Sequence, residues 1–281
     1  MKLQDVLNKT TLFFKANDYS SPKLDAELLI SEALGMRRID LYLHFEKPLN
    51  DQELQACRDL IRRRKAGEPV AYILGRRGFF EHDFLVGPGV LIPRPETECL
   101  VEKALELFKG DAPETFVDLG CGSGCLGLSL LKKFPDSYLY AVDISDAAIE
   151  YTEKNAEQLR VLERVKVMKA SALDVLDVPE VDLIVSNPPY IAKDDIHVEE
   201  NVKKYEPEEA LFSDEDGWHH SLGFARRAAE KLSPGGYYIF EHGATQQKDF
   251  LKQLEATGQW SALEGYKDLA GLDRFIVARK S

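Results

Sequence analysis

Val117-Asp118-Leu119-Gly120-Cys121-Gly122-Ser123-Gly124 is the run that sets the architecture. Residues 115–119 read as a strand, residues 120–124 as a glycine-rich loop, and residues 128–134 as an apolar helix. A strand, a glycine loop and a helix in that order open a Rossmann-type unit. The alternation continues downstream. A second strand covers 138–142 and ends at Asp143, and a helix follows over 147–159. Further strands are expected at 165–168, 181–185, 237–240 and 274–278, with helices around 222–232 and before 274. Alternating β and α elements imply a mostly parallel sheet covered on both faces.

The strand at 181–185 runs into Asn187-Pro188-Pro189-Tyr190. Two prolines remove two donors and fix φ, so the chain must turn at the carboxyl end of the strand. Ligands bind at that end in open α/β sheets. The turn carries a carboxamide, proline carbonyls and an aromatic ring, a set suited to gripping a planar NH2 group. The Asn187 oxygen and a proline carbonyl can each accept one N–H, and Tyr190 can cover the flat face. The plainer reading is a tight strand-to-helix turn, since Asn and Pro are common turn residues.

A dinucleotide site competes for the glycine loop. Gly122-Ser123-Gly124-Cys125-Leu126-Gly127 fits GxGxxG, and Asp143 lies at a spacing suited to a ribose. Asp118 at the mouth of the loop argues against a pyrophosphate and for a ligand with an ammonium group, such as the methionine part of S-adenosylmethionine. An NAD-binding oxidoreductase also leaves Asn187 to Tyr190 without a role.

The chain has 281 residues, 44% hydrophobic and 30% charged, which suits one large or two modest globular domains. No apolar run is long enough for a membrane span, and the N-terminus lacks a signal pattern. Cys57, Cys99, Cys121 and Cys125 form no CxxC pair and lie near no His cluster. Neither a metal site nor a disulfide framework is indicated, and a cytoplasmic setting is the simplest. Net charge is −12, unevenly spread: residues 1–75 carry 12 basic and 11 acidic side chains, the remainder 24 and 37. So acidic a larger part disfavours wrapping a phosphate backbone.

Residues 1–75 read as a helical domain. Val6, Leu7, Leu12, Phe13 and Phe14 line one face of a first helix. Ser20-Ser21-Pro22 starts a second, which carries Leu24, Leu28, Leu29 and Ala33 and stops at Gly35. Asn50 and Glu53 form a capping box for a third, which ends in Arg62-Arg63-Arg64-Lys65. That basic run reads as a solvated helix end, or as a docking surface for an acidic partner. Residues 76–95 read as a β-hairpin turning at Gly87-Pro88-Gly89 and linking the helical domain to residues 96–281. Its aromatics are packing residues in one reading and a wall of a cleft in another.

The glycine loop together with Asn187-Pro188-Pro189-Tyr190 resembles the class I methyltransferases that modify planar nitrogens. Three further stretches narrow the likeness: residues 91–98 (Leu-Ile-Pro-Arg-Pro-Glu-Thr-Glu), Tyr205-Glu206-Pro207 with Ala210-Leu211, and Asp268-Leu269-Ala270-Gly271 with Arg274. Together they resemble the HemK/PrmC family, the peptide chain release factor glutamine N5-methyltransferases. The resemblance implies a Rossmann-like, mostly parallel seven-stranded sheet with a small helical N-terminal domain. It implies that Asp118, Gly120, Cys121, Gly122, Ser123 and Gly124 hold the methionine end of S-adenosylmethionine, with Asn187 also at the cofactor. Asp143 takes the ribose hydroxyls, and adenine lies beside Ser171-Ala172-Leu173. Relatives often carry an acidic or aromatic residue where this chain has Ala172. The implied substrate is the glutamine of the Gly-Gly-Gln loop of class I release factors. Asn187 and the Pro188 carbonyl would bind its amide, with Pro189, Tyr190 and Phe79 around it, and residues 1–75 would dock the release factor elsewhere. Neither nucleic acid nor membrane is expected as a partner. Two rivals stand beside this: a nucleic-acid exocyclic-amine N-methyltransferase, and a non-catalytic binding module of the same fold.

Overall fold

The computed structural model describes residues 1–281, apart from the side chains of residues 215 and 216. The chain divides into two compact units, Met1–Gly75 and Arg76–Ser281.

The first unit is all helical: α1 (Leu3–Ala16), α2 (Pro22–Ala33), α3 (Arg38–Leu43), α4 (Asp51–Lys65) and α5 (Val70–Leu74). Its core gathers Leu3, Leu7, Phe14, Leu29, Ile30, Leu41 and Cys57. The buried face of α1 is Leu3, Val6, Leu7, Thr10 and Phe14, a helical period beginning earlier than expected. Leu12 falls off it and is 65% exposed. In α2 the buried apolar residues are Ala26, Leu29 and Ile30, while Leu24 is exposed. The capping box of α4 forms: Glu53 N donates to Asn50 Oδ1 and Asn50 N to Glu53 Oε2, both at 2.9 Å. The basic run closing α4 has intramolecular partners. Arg62 pairs with Asp59, Arg63 with Glu68 and Arg64 with Asp25, and Lys65 lies over the Phe13 ring.

The second unit opens with the antiparallel strands β1 (Arg76–Phe79) and β2 (His82–Leu85) and a 3-10 turn, Pro95–Thr97. There follow α6 (Glu98–Leu107), β3 (Thr115–Leu119), α7 (Cys125–Lys133), β4 (Tyr138–Asp143), α8 (Asp146–Gln158), β5 (Val165–Lys169) and β6 (Val181–Ser186). The chain continues through β7 (Ile191–Ala192), α9 (Glu200–Tyr205), α10 (Glu208–Leu211), β8 (Phe212–Ser213), α11 (Asp214–Gly217) and α12 (His219–Lys231). It closes with β9 (Leu232–Glu241), α13 (Gln247–Ala256), β10 (Trp260–Lys267) and β11 (Asp273–Lys280).

Seven strands form one sheet in the order β10-β11-β9-β6-β3-β4-β5. β5, β4, β3, β6 and β9 pair in parallel, and β11 is antiparallel to both β9 and β10. The side chains of the central strands alternate between two cores. Phe116, Leu183 and Val185 pack with α6 and α7, through Leu100, Val101, Leu126 and Leu130. Val117, Ile184 and Phe240 pack with α12 and α13, through Phe224, Ala228, Phe250 and Leu254. The chain leaves β3 toward β4 and β5 and returns to β6 on its other side. The crevice at this reversal is where an open α/β sheet binds ligands.

The hairpin differs from the sequence expectation. Its turn is Phe80-Glu81, with Phe80 at φ 54°, and Gly87-Pro88-Gly89 lies beyond the second strand. Those glycines serve close packing instead: a Cβ at Gly87 would lie 2.1 Å from the Tyr151 hydroxyl of α8. Phe79 is 1% exposed and meets Phe84 edge-on in the core, so the expectation that it packs around a substrate is not met.

Candidate active site

Three neighbouring strands deliver the chemistry. β3 ends at Leu119, which pairs with Ser186 of β6 on one side and Val142 of β4 on the other. One residue further on, Gly120 stands between Asn187 and Asp143. A residue with no side chain thus separates a carboxamide from a carboxylate. Gly120, Gly122 and Gly124 have φ of 71°, 56° and 77°, the left-handed region that disfavours side chains. Gly124 is the residue before α7, so the loop delivers the chain directly into the helix start.

These residues line a cavity of about 970 Å³. Its walls include Asp118, Gly120, Cys121, Gly122 and Ser123 on the loop side, Asp143 and Ala172 beyond, and Asn187 and Pro189 at the corner after β6. Pro188 and Tyr190 are not on this wall. They line a second hollow of about 90 Å³, which shares Asn187, Leu91, Arg94 and Ala210 with the first. Phe79 lines neither. Gly124 is absent from the cavity wall and acts through the backbone turn.

Asp118 is 1% exposed, and its Oδ2 accepts from Gly127 N at 2.9 Å. Burial pushes its pKa up to about 7, opposed by that hydrogen bond and reinforced by Asp143. A buried carboxyl facing a cavity, with no cation beside it among the described residues, suits an ammonium group. Asp143 Oδ2 accepts from Gly122 N at 2.9 Å and Oδ1 from Ser145 N at 3.0 Å. Burial raises its pKa, while these donors hold its two oxygens in place. Each oxygen keeps a lone pair for a hydroxyl. An ammonium site, a pair of hydroxyl acceptors and backbone N–H groups between them fit S-adenosylmethionine. Beyond Asp143 the cavity wall includes Ser171, Ala172, Leu173, His220 and Phe224, with no carboxylate at position 172. Cys121 and Cys125 line the wall as thiols; burial pushes Cys125 up to about 12 and Cys121 well above its ordinary value.

At the corner, Asn187 Nδ2 donates to Thr97 Oγ1 at 3.1 Å. The Tyr190 hydroxyl donates to Glu241 Oε1 at 3.0 Å, so its ring is anchored rather than free to swing. Thr97 and Glu241 were not among the expected site residues. Thr97 lies within residues 91–98, where nothing in its type singles it out; Glu241 closes β9, which runs beyond the expected 237–240 at both ends. Of the other two stretches, one is tied to residues 91–98 and the other is tied within itself. Glu206 accepts from Ile92 N at 2.9 Å and from Arg94 Nη2 at 2.7 Å, which fixes the loop before α6 against the segment after α9. Asp268 accepts from Ala270 N, Leu272 N and Arg274 Nε, which shapes the turn between β10 and β11.

Residues 5–75 match the family model described as PrmC N-terminal domain, and residues 97–204 the model described as methyltransferase small domain. The release factor glutamine methyltransferase of Geobacter sulfurreducens is 38% identical over 278 residues, covering 99% of this chain and 96% of that protein. The one from Nitratidesulfovibrio vulgaris is 36% identical over 282 residues, covering 99% and 95%. Among solved structures, the hMettl16 catalytic domain in complex with MAT2A 3'UTR hairpin 6 aligns with a TM-score of 0.54. It does so at 18% identity over 70% of this chain and 75% of that one, a likeness of fold alone. With more than a third of its residues shared along nearly its whole length, the chain belongs to the HemK/PrmC family of release factor glutamine methyltransferases.

Proposed function

We propose that the corner at Asn187 holds the carboxamide of the glutamine in the Gly-Gly-Gln loop of a class I release factor, for methylation at its N5 nitrogen. S-adenosylmethionine, bound along the larger cavity, supplies an electrophilic methyl group. Asp118 takes its ammonium group, the backbone from Gly120 to Gly124 cradles its methionine end, and Asp143 takes the ribose hydroxyls. The glutamine side chain occupies the smaller hollow against Pro188 and Tyr190, and the two ligands meet at Asn187.

An amide nitrogen is a weak nucleophile because resonance holds its lone pair. Asn187 Oδ1 and the Pro188 carbonyl each accept one of its N–H groups, fix its orientation and stabilise the positive charge that develops on nitrogen. No strong base is required before attack, because the nitrogen becomes acidic once alkylated. Residues 1–75 dock the release factor away from the reacting loop, remote binding that helps orient the reacting group. The second unit is strongly acidic, and among the described residues no helix is long and apolar enough to cross a membrane.

The observation that carries this reading is that Asn187 lines the same cavity as Asp118 and Asp143, and that its Oδ1 has no protein donor among the described residues. Asn187→Ala should lower kcat about 10²- to 10³-fold and leave cofactor affinity largely intact. Isothermal titration and a methyl-transfer assay on a release factor, with mass mapping of the modified residue, test it. Wild-type turnover in the variant, or modification at another residue, refutes the assignment.

A further inference from the structure

The Asn187 carboxamide is held from behind by a chain of three groups from separate segments. Asn187 Nδ2 donates to Thr97 Oγ1 at 3.1 Å, and Thr97 Oγ1 donates to Glu241 Oε2 at 2.6 Å. The second oxygen of Glu241 accepts from the Tyr190 hydroxyl at 3.0 Å. Thr97 is 3% and Glu241 1% exposed, so water does not compete for these bonds.

The direction of the chain follows from proton counting. A hydroxyl has one proton, and an ionised carboxylate has none to give. With its proton committed to Glu241, Thr97 can only accept from Asn187. The nitrogen edge of the carboxamide must then face Thr97, which turns the oxygen edge toward the cavity. A carboxamide turned over would offer its NH2 to the NH2 of a bound glutamine, setting donor against donor. Burial pushes the Glu241 pKa up; the bonds from Thr97 and Tyr190 and the charge of Arg274 on β11 oppose this and favour the carboxylate, while Glu96 works against it. Arg274 is itself fixed by Asp268 at 3.0 Å.

We propose that Thr97 and Glu241 are positioning residues for methyl transfer: the Glu241 carboxylate, acting through the Thr97 hydroxyl, locks Asn187 with its oxygen toward the substrate amide. This rests on the reading that Asn187 grips that amide. Neither residue touches the reacting atoms. Their effect belongs on kcat rather than on cofactor affinity, and it vanishes when Asn187 is gone.

The test uses the full chain with S-adenosylmethionine and a class I release factor. Thr97→Val keeps the shape and removes the hydroxyl. It should lower kcat between about tenfold and 10²-fold, while cofactor affinity changes by less than about twofold. Thr97→Ser should restore kcat to within about threefold of the wild type. The double variant Thr97→Val with Asn187→Ala should be no slower than Asn187→Ala alone, as for residues acting through one group. Glu241→Gln gives a second route: its amide can donate to Thr97, whose proton then turns toward Asn187, and kcat should fall likewise. Wild-type kcat in both Thr97→Val and Glu241→Gln, failure of Thr97→Ser to rescue, or additive losses in the double variant would overturn the proposal. If Asn187→Ala itself keeps wild-type turnover, the reading of the corner fails instead, and this proposal with it.

Discussion

Burial lifts the Asp118 pKa to about 7, opposed by the hydrogen bond from Gly127 N and reinforced by Asp143. The sign of the consequence is fixed. An ammonium group beside Asp118 favours the carboxylate, so binding below this pKa releases a proton. Cofactor affinity should therefore rise with pH, by up to about tenfold per unit, and level off once the pH passes about 7. Calorimetry in two buffers of different ionisation enthalpy should detect the released proton at acid pH and none well above neutrality. Asp118→Asn should abolish the dependence, and an affinity flat across that range would place the ammonium elsewhere. The same group acts oppositely on folding. Its contribution to stability is fully present below the ordinary carboxylate pKa and is lost as pH rises through about 7, because the folded state holds the proton more tightly than the unfolded chain does.

The helix after the glycine loop sits as close to β3 and β4 as a helix can. A Cβ at Gly127 would lie 2.8 Å from Asp118 Oδ2, 2.9 Å from its Cβ and 3.0 Å from Leu139 Cδ2. Gly127→Ala should force α7 away from the sheet, costing about 1–3 kcal/mol of stability. It should also weaken cofactor binding by lengthening the Gly127–Asp118 hydrogen bond. Denaturant unfolding of the full chain and a cofactor titration measure the two effects, and an unchanged midpoint would show that the helix has room to spare. The central strands were the most legible in the sequence, and the half-exposed edge strand β5 was legible too. β3, β4 and β6 are near-continuous apolar runs bounded by loops, and their carboxyl ends identified Asp118, Asp143 and Asn187. β10 was not legible: its residues run from half-buried to exposed in no strict alternation, as befits an edge strand paired on one side. The hairpin turn was misplaced because Gly-Pro-Gly is a turn signal by composition, whereas Phe80 adopts a positive φ that nothing in its type announces. Thr97 and Glu241 escaped for a related reason. Their role comes from three segments meeting, and no local spacing encodes that.

The two units divide the charge as well as the fold. The helical unit is near neutral, and its conspicuous basic run is neutralised within itself by Asp59, Glu68 and Asp25. A long-range electrostatic hold on an acidic partner is therefore a poor account of that run, and the docking proposed for the helical unit would rest on other surfaces. A chain lacking residues 1–75 should bind cofactor with unchanged affinity and show a KM for the intact release factor raised at least about tenfold. Steady-state kinetics on the two chains would check this, and an unchanged KM would reduce the helical unit to a stabilising role. The level alignment of Asn187, Gly120 and Asp143 has a last consequence. Adjacent strands are spaced by the hydrogen-bonded ladder at about 4.8 Å, so these two anchors are held roughly 10 Å apart. Asn187 directly follows β6 and Asp143 closes β4, so the sheet sets this spacing. A donor molecule lengthened by a single methylene between its ribose and its sulfur would still find both ends of its berth, yet deliver its methyl carbon past the waiting nitrogen.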